Sequence, residues 1–287
     1  MYFIGVDLGT SAVKLLLMEE SGKICNIVSK EYPLFFPHPG WSEQNPEDWY
    51  TQSMAGMKEL TEGIDRSQVA GISFGGQMHG LVTLDDQDQV IRPAILWNDG
   101  RTSEETDYLN NVIGKDKLSQ YTANIAFAGF TAPKILWMKK NEPEKFAKVV
   151  KIMLPKDYLA YRLSGSFCTD VSDASGMLLM DVKNRRWSKE MCEICGVREE
   201  QLATCYESYE KVNSTLRDII SDPDYKNGSE NDKKEKIEKS WELFCAPFRQ
   251  RKRHNGKGSG NLEKTACIDD GRRRNGGAFG LHEGRAR

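Results

Sequence analysis

The chain opens with two apolar runs, one ending at Asp7 and one from Ala12 to Met18, on either side of a turn made of Gly9, Thr10 and Ser11. Short apolar runs around turn residues predict a β-hairpin, and Ile24 to Tyr32 adds a third strand before any helical spacing begins. The first helix is signalled at Asn45, a natural N-cap, with Pro46 at the first helical position and Glu47 and Asp48 at the positive end of the dipole. Tyr50, Met54, Met57, Leu60 and Ile64 then repeat at helical spacing. Val69 to Phe74 predicts a buried strand running into Gly75-Gly76-Gln77-Met78-His79-Gly80. A further strand, Pro93 to Trp97, ends in Asn98-Asp99-Gly100-Arg101, after which Thr102 and Glu105 predict a capping box on a helix ending near Asn111. Pro133 predicts the start of a helix through Trp137 to Lys140, Val149 to Leu154 a strand, and Pro155 to Leu163 a helix closed by Ser164 and Gly165. Three strands, a helix, a strand and then alternation predict an α/β fold with a mixed sheet covered by helices on both faces.

Polar residues gather where these strands end, the place where ligands collect in open α/β sheets. Paired glycines there let the backbone approach a ligand, so Met78, His79 and the stretch Trp97 to Arg101 are candidates to face one cleft. At the first turn, Gly9, Thr10, Ser11 and Lys14 offer backbone N–H groups, two hydroxyls and an ammonium. Asp7 adds a carboxylate, which completes the equipment for a phosphate and its metal. An ordinary hairpin that binds nothing would carry the same apolar pattern. His79 also suits a structural histidine bonded to backbone, Trp97 a core residue, and Asn98, Asp99 and Arg101 the building of a turn. Cys192-Glu-Ile-Cys195 has the spacing of half a zinc or redox site, but no second pair follows. With Met191 and Ile194 the two thiols are expected to pack on one buried helical face.

The chain is 39% hydrophobic and 29% charged, ordinary for a globular protein, so neither figure alters this picture. Val13 to Met18 is too short for a signal peptide or membrane span, and a cytoplasmic location is the expectation. Seven scattered cysteines, an odd number, argue against a disulfide framework. Charge divides the chain more sharply. Residues 213 to 287 hold 17 Lys and Arg against 12 Asp and Glu, net +5, and the preceding residues 23 against 30, net −7.

Gly5-Val-Asp7-Leu-Gly9-Thr10-Ser11 resembles the first phosphate motif of the actin, sugar-kinase and Hsp70 superfamily. Gly76-Gln-Met-His-Gly80, Ala94-Ile-Leu-Trp-Asn-Asp-Gly-Arg101, Gly129-Phe-Thr-Ala-Pro-Lys134 and Leu154-Pro-Lys-Asp-Tyr158 follow in order, and together they resemble the xylulokinases of the FGGY carbohydrate-kinase family over residues 1 to 212. Within that family, glycerol kinases carry an Arg-Glu pair in place of Met78-His79. The resemblance implies an actin-like, ribonuclease H-like domain and ATP-dependent phosphorylation of D-xylulose to D-xylulose 5-phosphate. By the same resemblance Asp7 places Mg²⁺ and the transferring phosphate, and Gly9, Thr10, Ser11 and Lys14 approach the nucleotide phosphates. Gln77, Met78 and His79 bind sugar, and Trp97 lines the pocket. A kinase for another sugar or polyol, and a non-catalytic sugar-binding or regulatory module, are the alternatives.

The resemblance ends near residue 212. Family members continue with a second domain for adenine and a catalytic Asp in a Gly-Asp-Asn-like motif, neither of which residues 213 to 287 match; Asp269-Asp270-Gly271 lacks the glycine-rich strand context. Basic clusters at Lys233–Lys239, Arg249–His254 and Arg272–Arg274, with few aliphatic residues, predict a largely disordered tail. A changed reading frame is favoured over an acquired nucleic-acid-binding segment, since no folded recognition element accompanies the charge. Without the base and the adenine domain the chain is expected not to turn over, and its uncovered inter-domain face to favour self-association.

Overall fold

The computed structural model describes residues 1–210 and residue 212. The expectations for residues 213 to 287, including Cys245, Cys267 and Asp269 to Gly271, lie outside the described residues.

The predicted hairpin forms. Strands β1 (Tyr2–Leu8) and β2 (Ala12–Glu19) pair antiparallel with Asp7 opposite Lys14, and β3 (Ile24–Glu31) pairs antiparallel with β2. The short β4 (Glu43–Gln44) leads into α1 (Pro46–Leu60), where the Asn45 side chain accepts the Glu47 N–H as an N-cap should. Strand β5 (Val69–Gly76) then lies parallel to β1, giving a mixed sheet in the order β3-β2-β1-β5. It runs two residues further than expected, through Gly75 and Gly76, which pair with Asp7 and Leu8. A Cβ at Gly76 would stand 2.6 Å from the Leu8 Cβ, so the extension depends on glycine.

Val13, Leu15 and Leu17 are buried on the side of the sheet where α1 packs. The helix comes close there: a Cβ on Gly56 would meet Leu15 Cδ1 at 2.5 Å. That approach turns the helix so that Trp49, Ser53, Gly56, Met57 and Leu60 are covered, while Tyr50 and Met54 are only half-buried and Ile64 lies beyond the helix end. The expected stripe was thus displaced by one residue over its first two turns. On the opposite side of the sheet Asp7 and Lys14 are exposed and Leu16 half-buried.

Strands β6 (Val82–Leu84) and β7 (Ala94–Ile95) follow, β7 pairing with β4. The expected strand Pro93 to Trp97 is this short because the ladder is only half made at the next pair: Leu96 N–H reaches Ser42 O at 3.0 Å, but Ser42 N–H turns to Asp99 Oδ2 at 2.6 Å, and a turn begins there. Helix α2 (Ser103–Asp107) lacks the predicted capping box: the Thr102 hydroxyl donates to Ala128 O at 3.1 Å, and Glu105 is buried. Nor does it stop near Asn111; a π-helical turn over 108–114 carries it into α3 (Lys115–Thr122). Asn110 exchanges two hydrogen bonds with the Ala126 backbone and holds that turn in place.

Helix α4 (Thr131–Asn141) begins two residues before Pro133, which sits in the first turn where its missing N–H costs nothing. After α5 (Pro143–Phe146), β8 (Lys151–Met153) pairs with β6, and α6 (Pro155–Ser164) ends on Gly165 at φ +78°, as its sequence predicted. Helix α6 packs against α1 and β5. The remaining elements are β9 (Cys168–Asp170), α7 (Val171–Ser175), β10 (Met180–Asp181), β11 (Arg186–Trp187), α8 (Lys189–Cys195) and β12 (Thr204–Tyr206). One core joins the sheet to Trp49, Tyr158 and Leu159; a second gathers Leu109, Ile135, Met138, Leu178 and Met191. Cys192 and Cys195 belong to the second, and burial pushes their thiols up to about 11 and about 12, away from thiolate chemistry. Among the described residues no helix is long and apolar enough to cross a membrane.

Candidate functional site

All three carbonyls of the β1–β2 turn are tied back into the protein. Gly9 O accepts the Tyr32 hydroxyl, Thr10 O accepts Gln44 Nε2 at 2.7 Å, and Ser11 O accepts the Tyr32 N–H at 3.3 Å. In a trans peptide the C=O and the following N–H point in opposite directions, so the Thr10 and Ser11 N–H groups are turned away from these partners. Outward N–H groups on a tight turn form a concavity for an anion. Gly9 N–H is used inside the turn on Ala12 O at 3.0 Å, and a Cβ there would lie 2.9 Å from the same oxygen. Burial and the nearby Asp7 charge push the Tyr32 hydroxyl well above its ordinary value, which keeps it a donor. Asp7 and Lys14, paired across the two strands, stand exposed beside the turn.

The turn is joined to a second set of residues by Trp97, whose indole N–H donates to Thr10 Oγ1 at 3.0 Å. Trp97 is 47% exposed, so it is a surface of the site and not part of either core. Its carbonyl lies against Gly129, where a Cβ would approach to 2.8 Å; a side chain there would push the 127–130 turn away from Trp97. Within that turn the rings of Phe127 and Phe130 stand 5.3 Å apart, and Phe130 lies 4.9 Å from the imidazole of His79. A hydrogen bond thus joins Thr10 to Trp97, the Trp97 backbone lies against Gly129 of the 127–130 turn, and Phe130 of that turn touches His79, with Met78 exposed next to His79.

His79 occupies left-handed backbone at φ +64°. Its Nδ1 is 3.0 Å from Gly176 O; a carbonyl only accepts, so Nδ1 carries the hydrogen and Nε2 of the neutral ring is an acceptor. Burial pulls the imidazole below its ordinary value and Lys134 assists, while the Gly176 bond and Asp173 oppose; the neutral ring prevails at pH 7. The His79 carbonyl accepts from Thr131 Oγ1 and Lys134 Nζ, each at 3.2 Å.

The other expected site residues divide. Gln77 is buried behind the turn: its N–H donates to Leu8 O at 2.6 Å and its Nε2 to Gln44 Oε1 at 3.0 Å, while its Oε1 has no partner. Asp99 and Arg101 do not reach the cleft. Asp99 is buried, accepting from Ser42 N–H at 2.6 Å and Arg101 Nε at 2.8 Å, and Arg101 is stacked 3.7 Å over Trp41 and paired with Glu43. They build the turn that aims Trp97. Tyr32, Gln44 and Gly176 support the site but escaped the sequence reading. A Gln before an N-cap and a Tyr ending a strand look like any surface or core residue, and only the folded contacts give them a role.

The chain is similar to known proteins over most of its described length. The family model described as the FGGY family of carbohydrate kinases, N-terminal domain, matches residues 2–221. The chain is 44% identical over 222 residues to the xylulose kinase of Bacillus subtilis (strain 168), covering 77% of this chain and 44% of that protein. A crystal structure of a xyloylose kinase from Brucella ovis superposes with a TM-score of 0.72 at 39% identity, over 76% of this chain and 46% of that one. A gluconate kinase from Lactobacillus acidophilus also gives 0.72, at 29% identity, over 76% and 44%. The chain spans less than half the length of each of these relatives.

Proposed function

The chain belongs to the FGGY family of carbohydrate kinases, and from that premise we propose that its described residues hold D-xylulose and the phosphates of ATP for transfer of the γ-phosphoryl group to the terminal hydroxyl of the sugar. The observation that carries this reading is the hydrogen bond from Trp97 to Thr10. It sets an aromatic and imidazole wall beside an anion-binding turn, and phosphoryl transfer needs acceptor hydroxyl and phosphate in one place. His79 Nε2 accepts a hydrogen bond from a sugar hydroxyl, and Met78 and Trp97 lie against its C–H faces. Gln77 anchors the segment that carries Met78 and His79. The Thr10 and Ser11 N–H groups, shaped by Gly9, and the Lys14 ammonium meet phosphate oxygens.

Use of ATP, with a divalent metal, follows from membership of a kinase family. Among the described residues no group of three or more His, Cys, Asp or Glu could hold a metal by itself. One exposed carboxylate, Asp7, fits Mg²⁺, which takes one or two carboxylates and completes its shell with water and phosphate oxygens. Mg²⁺ bound there supplies charge neutralisation to the phosphates.

The test is a melting series of the full chain with D-xylulose, gluconate and glycerol. Stabilisation by D-xylulose at concentrations where the other two have no effect is expected, and greater stabilisation by gluconate or glycerol would overturn the choice of sugar.

A further inference from the structure

Lys134 has no exposed surface, yet it lies in the first turns of α4, at the positive end of the helix dipole, where a cation is disfavoured. Burying a cation costs several kcal/mol unless its donors are satisfied. Here its ammonium meets four backbone carbonyls: His79 O at 3.2 Å, Ala128 O at 3.4 Å, Phe130 O at 3.1 Å, and Gly129 O. Three N–H donors thus serve four acceptors, and these come from two separate segments of the site. One segment presents the imidazole and the other presents Phe127 and Phe130. A buried apolar side chain would fill the same space, so the ammonium's distinctive contribution is this junction.

We propose that Lys134 is a positioning residue of the sugar site. By gathering the His79 carbonyl and the 128–130 carbonyls on one ammonium, it fixes the imidazole and the Phe130 ring relative to each other. Its effect on sugar binding rests on the reading of His79 given above; the positioning itself does not. The charged groups that act on Lys134 are Asp99, which favours the ammonium, and Arg101, which opposes it, while burial brings it down to about 7.

Lys134→Met in the full chain keeps an unbranched side chain one atom shorter and removes the ammonium. Nitrogen-15 spectra of the imidazole are expected to show the Nδ1–H form in the wild type and a mixture with Nε2–H in the variant, with loss of the ring-current shift from Phe130. The D-xylulose Kd is expected to rise at least tenfold. A folded variant with the wild-type imidazole spectrum overturns the proposal. If the variant does not fold, the wild type is titrated instead. The carbonyl carbon-13 resonances of Gly129 and Phe130 are then expected to move together with one midpoint as the ammonium loses its proton, and resonances that move separately refute the junction. Should D-xylulose fail to bind wild type while the imidazole still responds to Lys134→Met, the choice of substrate falls and the positioning role stands.

Discussion

Gln44 is the residue whose loss the structure makes most costly to the phosphate turn. It is 1% exposed and uses its whole amide: Nε2 donates to Thr10 O at 2.7 Å and Pro33 O at 3.3 Å, and Oε1 accepts from Trp49 Nε1 at 3.1 Å and Gln77 Nε2 at 3.0 Å. Gln44→Met preserves volume and strands the fully buried Trp49 N–H together with the Gln77 amide. At about 1–3 kcal/mol for each stranded buried donor, the loss comes to roughly 2–6 kcal/mol, a large part of a typical domain's stability. Freed from Nε2, the Thr10 carbonyl is no longer held inward, so anion binding at the turn should weaken as well. Gln44→Glu provides the control. Only the protonated carboxyl can donate to Thr10 O, so relative to wild type this variant is expected to be more stable at pH 4 than at pH 7. Guanidinium unfolding of the three proteins gives the stabilities, and inorganic phosphate titration gives the anion affinity. Gln44→Met unfolding within about 0.5 kcal/mol of wild type, with unchanged phosphate binding, would refute the reasoning.

Gly176→Ala is compatible with the backbone at φ −84° but puts a Cβ 2.2 Å from His79 Cε1. The ring must leave, forfeiting its Gly176 bond and its Phe130 contact, for about 1–3 kcal/mol of stability and most D-xylulose affinity; calorimetry showing neither loss would contradict the packing. Burial makes Lys134 bind a proton less readily in the folded chain, at about 7, than at its ordinary value of 10.5, so unfolded chains hold more protons between those values and this group's contribution to stability rises with pH there. The stability difference between wild type and Lys134→Met, measured by urea unfolding at pH 7 and pH 9, is expected to shift in favour of wild type at the higher pH; a difference independent of pH would count against it.

Much of the frame was legible because its signals are local. Asn45-Pro46 started α1, Gly165 ended α6, and the apolar runs on either side of Gly9, Thr10 and Ser11 made the first hairpin. The failures were contests between a local signal and a distant partner. Thr102 gave its hydroxyl to Ala128 and not to the start of α2, and Gly56 brought Trp49 inward in place of Tyr50. In the site, Asp7 to Ser11 and Met78-His79 stood out as polar residues at strand ends. Asp99 and Arg101 looked the same in sequence, yet Ser42, Glu43 and Trp41 drew them into the interior. The supports, Tyr32, Gln44 and Gly176, reach the site through hydrogen bonds formed across 23, 34 and 97 residues, which no pattern of neighbours records.

The central claim is that His79 Nε2 and the wall from Thr10 to Phe130 hold D-xylulose. Isothermal titration of the full 287-residue chain with D-xylulose, in wild type and in His79→Leu, tests it most directly. Saturable one-to-one binding by wild type, lost in a folded His79→Leu, is the result predicted. Folded wild type that takes up no D-xylulose, or a His79→Leu variant that binds it equally well, would contradict the account.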